Sequence, residues 1–464
     1  MAAPTNIPSL PVYLFTFNCA RELVNPKSIA PHIFSALDPS APPPEIVALG
    51  LQEFAPISYS FLGGDYTTPY LDQWSSIPHL ASQSLNQANP KFPAEYVEIG
   101  RQHVGMTALM LFSRRPEKVK SLRFTGVGFG VAGMGNKGAV AARFTYVTDS
   151  GDGDTHGAVG NNTANGINVT IVSAHLSAHE HCCADRNRDW ETLARGLVFD
   201  GVSPSSAEET TPLLQPTDST STSTSGIYAP STHLLLMGDL NYRTSSIAPK
   251  PSDYTTFPKT AADLPAYFAK DQLNFERTAG NTLHGLTEAP INFPPTYKYL
   301  DIHPAYKSSN PAPTSEGELP GDKAHLVSDT ALPDLYAYAP HRWPSWCDRI
   351  LWLPVPEVPV KVHKYASIPT ILLSDHRPVV LHASLPPIRS LEGSAKSGDL
   401  RLAPPFPLDA GWKSKRSNAV AREWIVGYSI LMTTTVAGAA VATCAIVSLA
   451  MLWWTLLGSA PPPV

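Results

Sequence analysis

The stretch HLLLMGDLNYR, His233 to Arg243, sets the architecture of this chain. Its apolar run is short and bounded by polar residues, which predicts a buried strand rather than a helix. The strand delivers Asp239, Asn241 and Arg243 into a loop, where rigid support meets solvent. The same construction recurs along the chain. Val12–Phe17 runs into Asn18, Ile46–Leu51 into Gln52 and Glu53, and Asn168–Ala174 into His175. Ile371–Leu373 reads as a fifth strand, leading into Ser374, Asp375 and His376. Five strand-like segments, each presenting an acid, an amide or an imidazole downstream, are the pattern of an active site on a strand-rich α/β fold.

Whole-chain properties narrow the class. A length of 464 residues allows one large domain or several average ones. A net charge of −5 gives no global attraction to nucleic acid or anionic lipid, so any basic site must be local, and a nucleic-acid partner is not expected. The five cysteines (Cys19, Cys182, Cys183, Cys347 and Cys444) have no framework spacing, which fits a reducing compartment. No basic residue precedes the first apolar run, which argues against a secretory signal.

The C-terminal region differs in kind. No residue from Ile425 to Val464 is charged, and Val436–Leu457 is almost entirely apolar. About 20 such residues suffice to cross a bilayer. Trp424, Tyr428, Trp453 and Trp454 flank the run, as aromatic rings do at membrane interfaces. Lys413, Lys415, Arg416 and Arg422 lie upstream, so the positive-inside rule places the bulk of the protein in the cytosol. Few residues follow the run. The expectation is a tail anchor over residues 424–458, inserted after synthesis.

Four stretches read as insertions or linkers: Asp149–Gly166, Gly201–Gly226, Ser308–Asp322 and Pro386–Ser417. They are too poor in apolar residues to offset the entropy of ordering them. Strand-end polar residues fall on both sides of the first three. The expected organisation is therefore one catalytic domain over residues 10–386, a flexible linker over 387–423, then the anchor. Asp185–Leu197, with Trp190, Leu193 and Leu197 at helical spacing, is a predicted helix.

The strand-end residues suggest phosphoryl chemistry. Asn18 and Glu53 offer the hard oxygen donors that Mg²⁺ prefers alongside water and substrate phosphate. Asp239 and Asn241 stand two apart, so both can face one reaction centre, the acid orienting or deprotonating water and the amide stabilising an oxyanion. An imidazole held by a carboxylate, as with His376 beside Asp375 and with Asp348 nearby in the motif PSWCDRILW, can stay protonated against a phosphoryl group. Gly128–Gly133 formally matches a dinucleotide fingerprint but lacks a βαβ frame and reads as a substrate loop. The His and Cys residues between His175 and Cys183 lack a second pair at zinc-ligand spacing.

Seven ordered motifs make the chain resemble the inositol polyphosphate 5-phosphatases of the DNase I-like metal-dependent phosphoesterase superfamily. They are GMGNKGAVAARF (Gly133–Phe144), SAHLSAHE (Ser173–Glu180), DRNRDW (Asp185–Trp190), GDLNYR (Gly238–Arg243), PPTYKY (Pro294–Tyr299), PSWCDRILW (Pro344–Trp352) and SDHRPV (Ser374–Val379). The resemblance implies a four-layer α/β sandwich with two mainly antiparallel sheets, followed here by the C-terminal membrane helix. It also implies a monomer that hydrolyses phosphoinositide at a membrane surface, the apolar C-terminus pointing to the endoplasmic reticulum.

Carried over residue by residue, Asn18, Glu53 and Asp375 resemble the Mg²⁺ site. Asp239 resembles the water-activating acid, Asn241 a transition-state donor, His376 with Asp348 the phosphate-binding imidazole, and His175 a further phosphate contact. Asn136, Lys137, Tyr297, Lys298 and Arg349 resemble the cluster that grips a neighbouring 4-phosphate. Lys298 and Arg349 argue against a nuclease or sphingomyelinase of the same superfamily. The presence of Glu53, Asp239 and His376 together argues against a lipid tether without turnover. The chain departs from the usual pattern at TFNCAR (Thr16–Arg21) and at Ala139, and neither change removes a catalytic group.

Overall fold

Strand alternation sorts the apolar side chains of this protein into three stacked cores. In β1 (Leu10–Asn18), Tyr13, Phe15 and Phe17 face one way while Leu10, Val12 and Leu14 face the other. Opposite faces of a strand must be buried against different layers. The computed structural model describes residues 9–38, 40–88, 95–148, 166–199, 225–300, 335–355, 359–388 and 398–457. The expected insertions lie wholly or largely outside them.

The other strands are β2 (Ile46–Gln52), β3 (Val97–Val104), β4 (Thr107–Ser113), β5 (Val119–Gly128), β6 (Gly138–Val147), β7 (Gly166–His175), β8 (Thr232–Asp239), β9 (Asp348–Trp352), β10 (Lys361–Ser367) and β11 (Val379–Leu385). They form one sheet in the order β10-β11-β1-β2-β4-β3 and another in the order β5-β6-β7-β8-β9. Pairing is antiparallel except between β1 and β2 and between β7 and β8.

The helices are α1 (Pro26–Ile33), α2 (Ile57–Leu62), α3 (Thr68–Ala88), α4 (Cys183–Gly196), α5 (Leu264–Phe268), α6 (Gln272–Thr278), α7 (Trp412–Thr434) and α8 (Val436–Leu457). Trp74 and Ile77 of α3 close the outer face of the first sheet, and Trp190 and Leu193 of α4 close that of the second. Val12, Leu14, Val140, Ile171, Met237 and Ile350 fill the space between the sheets. This is the expected four-layer sandwich with two mainly antiparallel sheets. Asn25 caps α1 by accepting from the Lys27 amide, and Asp271 caps α6 through the Asn274 amide, so each start is set by a side-chain oxygen.

Two sequence expectations need correction. Ile371–Leu373 is not a strand; it lies in the loop between β10 and β11. Ile371 is nonetheless buried in the core, and the flanking Pro369 and Pro378 cannot donate to a ladder. His376 therefore stands at the entry to β11 rather than at the exit of a strand. The second correction concerns the linker, whose described part is folded against the domain. Arg401 is buried and donates to the carbonyls of Thr232, Leu353 and Pro354 at 3.0 Å each. From Trp412 the chain is helical, and α7 packs on α2. One arginine satisfying three carbonyls orders a segment that has few apolar residues.

The apolar C-terminus breaks at Thr435 between α7 and α8. α8 has 22 residues, roughly 33 Å at 1.5 Å per residue, against about 30 Å of hydrocarbon. Among the described residues it contains the one segment long and apolar enough to cross a membrane, Gly438–Thr455, with mean hydropathy 1.6.

Candidate active site

Strand register gathers the site. The parallel pair β7 and β8 sets His175 beside Asp239, and the antiparallel pair β8 and β9 sets Asp239 beside Asp348. β1 faces β8 across the sandwich, so Asn18 at its end reaches Asp239, and its Nδ2 donates to Oδ2 at 2.9 Å. β2 lies parallel to β1 and ends at Gln52, with Glu53 one residue beyond. Glu53 and Asn241 both adopt left-handed backbone, with φ of 46° and 56°. Such conformations in non-glycine residues cost energy and concentrate at functional turns.

Asp239 is the centre. Its Oδ1 accepts from the Asn241 amide at 3.1 Å, while Oδ2 lies 3.3 Å from His175 Nε2 and 3.9 Å from His376 Nε2. Burial alone would raise its pKa, but His376, His175 and Lys137 outweigh that and hold the carboxyl well below the usual range. So depressed an acid is a poor base at neutral pH, which favours orienting water over deprotonating it.

His376 is the cation of the cluster. Its Nδ1 donates to Asp348 Oδ2 at 2.8 Å, and that oxygen also accepts from Thr296 Oγ1 at 2.7 Å. Burial lowers its pKa, yet the carboxylates of Asp348 and Asp239 prevail and raise it to about 9. Asp348 itself is pushed up by burial, against the pull of His376. One proton is thus held on the imidazole between two acids.

His175 is neutral, lowered first by burial and then by Lys137, whose Nζ donates to His175 Nε2. Lys137 is itself lowered by burial, while Asp239 and Glu53 favour its charge. Asn136 stands next to it on the loop between β5 and β6, with a buried Oδ1 that has no hydrogen-bond partner among the described residues. The Tyr297 ring lies tilted by 43° against the His376 ring, with centroids 4.6 Å apart. The Lys298 ammonium pairs with the Asp375 carboxylate, both about a quarter exposed.

Most sequence-selected residues meet here, and one does not. Arg349 is fully buried, with Nε and Nη2 donating to Glu288 at 2.7 and 2.6 Å and Nη1 donating to both Asp271 oxygens at 3.1 Å. Neighbouring residues of a strand point to opposite sides, so with Asp348 aimed at the site Arg349 is aimed away. It cannot grip a substrate phosphate. The Asp375 carboxylate accepts from Lys298 and Ser374. Asn241 braces Asp239, and one of its amide hydrogens is taken by Leu176 O at 3.1 Å.

Two contributors were given no role from sequence. Thr296 fixes Asp348, and Arg243 fixes Asn241 by donating to its carbonyl at 3.0 Å and to its Oδ1. Both lie inside quoted motifs, so membership of PPTYKY and GDLNYR was the available signal.

Glu53 and Asn18 fit a hard divalent cation. The Glu53 carboxylate is one-quarter exposed beside the buried acids, and its charge reaches Lys137 and His175. Among the described residues Asn18 Oδ1 accepts only from the Ala20 amide, at 3.1 Å, leaving it a second lone pair. A part-exposed carboxylate, 3.3 Å from Arg21 Nε, and an amide oxygen match the Mg²⁺ preference for few protein ligands completed by water.

The sequence pattern of endonuclease/exonuclease/phosphatase family 2 matches residues 15–382. The chain belongs to this family. Among its relatives is the type II inositol 1,4,5-trisphosphate 5-phosphatase of Mus musculus, 26% identical over 74% of this chain and 27% of that protein. Another is inositol-1,4,5-trisphosphate 5-phosphatase 1 of Schizosaccharomyces pombe, 28% identical over 61% of this chain and 19% of that protein. The chain thus spans about a quarter or less of the length of these relatives. The fold is also that of a synaptojanin inositol polyphosphate 5-phosphatase domain solved with inositol (1,4)-bisphosphate and a calcium ion. That match has a TM-score of 0.53 and 20% identity, and it covers 89% of this chain and 90% of the other. The family resemblance carried by the motifs and these relatives agree.

Proposed function

We propose that this family member is a Mg²⁺-dependent phosphomonoesterase that removes the 5-phosphate from phosphatidylinositol 4,5-bisphosphate at a membrane surface. The observation that carries the reading is the buried cluster in which an ionised Asp239 faces a protonated His376 held by Asp348. Such a pairing sets a water-orienting acid next to a fixed cation, which in-line hydrolysis of a phosphomonoester requires. The names of the relatives support inositol phosphates as the substrate class.

In this reading Asp239 accepts a hydrogen bond from the attacking water and Asn241 holds Asp239 in line. The water oxygen bonds to phosphorus as the phosphorus–oxygen bond to the inositol breaks; the water gives up one proton to solvent, and the leaving alkoxide takes one from solvent. His376 and Lys137 offset the charge on the equatorial oxygens. A cation bound by Glu53 and Asn18 would add charge neutralisation at the phosphate. With Arg349 removed from the 4-phosphate grip, that role falls to Lys298, Lys137 and Asn136, and the case against a nuclease rests on these residues.

Membrane attachment through α8, with the catalytic domain in the cytosol and the endoplasmic reticulum as its location, completes the proposal. Phosphate release is measured across a panel of phosphoinositides and soluble inositol phosphates, and strand cleavage of DNA and phosphocholine release from sphingomyelin are measured beside it, with and without Mg²⁺. Release from the 4,5-bisphosphate that requires Mg²⁺ is expected, and Asp239→Ala is expected to lose at least about a thousandfold in kcat in protein that circular dichroism shows to be folded. Near-normal turnover in that variant, or cleavage confined to DNA, refutes the reading. Imaging of the full chain on another organelle refutes the location alone.

A further inference from the structure

Helix α7 grips the loop that carries Asn136 and Lys137. Ala419, Glu423 and Gly427 recur at four-residue spacing on one helical face, and all three are buried. A Cβ added at Gly427 would stand 3.0 Å from Leu62 Cγ and 3.1 Å from Ser58 O, so the helix lies tight against α2. From this seat the Glu423 Oε1 accepts from the Gly135 amide at 2.8 Å. Arg416 steadies the carboxylate through both oxygens, at 2.7 and 3.2 Å, and Arg422 donates to Ala132 O at 2.9 Å.

The loop is closed on itself as well. Phe129 and Gly130 amides both donate to Lys137 O, at 2.9 and 3.1 Å, and Gly135 O accepts from Met106 at 2.9 Å. Gly135 is therefore held at its amide by Glu423 and at its carbonyl by β3–β4. Two residues further on, Lys137 meets His175. A carboxylate accepting from a backbone amide is a strong bond, and losing it would leave a buried donor unsatisfied.

We propose that Glu423 is a positioning residue for the reaction. α7 is a strap that holds the Asn136–Lys137 loop in register with His175 and Asp239. The segment leading into the apolar helix thereby also sets the geometry of the phosphate site. The catalytic part of this inference rests on the proposed phosphatase reading, whereas the mechanical part does not.

Both parts are tested in the full chain in detergent, comparing wild type with Glu423→Ala and Glu423→Gln. Gln keeps an oxygen acceptor for Gly135 and Ala removes it. Hydrogen exchange over residues 128–138 is expected to rise about tenfold in the Ala variant and to stay near wild type in the Gln variant. On a soluble inositol phosphate, kcat is expected to fall about tenfold for Ala and less than about threefold for Gln, with thermal midpoints within about 3 °C. In a Lys137→Ala background, Glu423→Ala should add little, because both act through one contact. Unchanged loop exchange in Glu423→Ala overturns the strap. Wild-type kcat in that variant, or full additivity with Lys137→Ala, overturns the positioning role. If wild type releases no phosphate, the functional reading fails, and the exchange data still decide the strap.

Discussion

Replacing Arg349 with Met tests whether this arginine serves substrate or fold. The side chain makes four charge-assisted hydrogen bonds, two to Glu288 and two to Asp271, with Arg349 and Asp271 fully buried and Glu288 nearly so. Burial already raises the pKa of Asp271 despite the opposing arginine, so without the cation Asp271 would be driven to bind a proton. Removing one member of a buried ion group costs about 3–5 kcal/mol, because it strands the remaining charges. Out of a total of roughly 5–15 kcal/mol, that is a large loss in a chain that still folds. The triple variant Arg349→Met, Asp271→Asn, Glu288→Gln removes all three buried charges, parting only the quarter-exposed Arg277 from Glu288, and should recover at least about half of the deficit. Urea denaturation measures the stabilities, and steady-state phosphate release on a soluble inositol phosphate measures KM. The expected result is a large stability loss with KM within about twofold of wild type. A stable Arg349→Met protein with a tenfold higher KM would refute the structural assignment and restore the arginine to the substrate.

Two pH dependences follow from buried histidines. His376 is raised to about 9, so the protonated form that the site uses is present at neutral pH and lost as pH rises; kcat/KM at saturating Mg²⁺ should fall on the basic side, and in Asp348→Asn that limb should move down. A limb unaffected by Asp348→Asn would detach His376 from it. His233 behaves in the opposite sense: it is buried, donates through Nε2 to Pro386 O at 2.6 Å, and is lowered to about 4. Its unfolded value is near 6.5, so the unfolded chain takes up the proton first; stability should fall by about 3 kcal/mol as pH drops from 6.5 to 4. The difference in that slope between wild type and His233→Gln, read by urea denaturation, isolates the contribution, and equal slopes would refute it.

Much of this protein is legible locally. The strand ends at Asn18, Gln52, His175 and Asp239 are visible because alternation and short apolar runs are properties of neighbouring residues, and the sheet inherits them. The site acids and imidazoles lie in short motifs whose order survives folding. Ile371–Leu373 misled because a core-facing loop and a buried strand show the same apolar run, and only a pairing partner separates them. What tertiary structure decided are contacts between distant residues. Arg349 finds its acids 78 and 61 residues away, and nothing in PSWCDRILW shows that the arginine will face Asp271 and Glu288 rather than a phosphate. Glu423 meets Gly135 across 288 residues, so composition alone reads the helix that bears it as tether. Propensity acts over a few residues, whereas the partner of a charge depends on which surfaces the whole chain brings together.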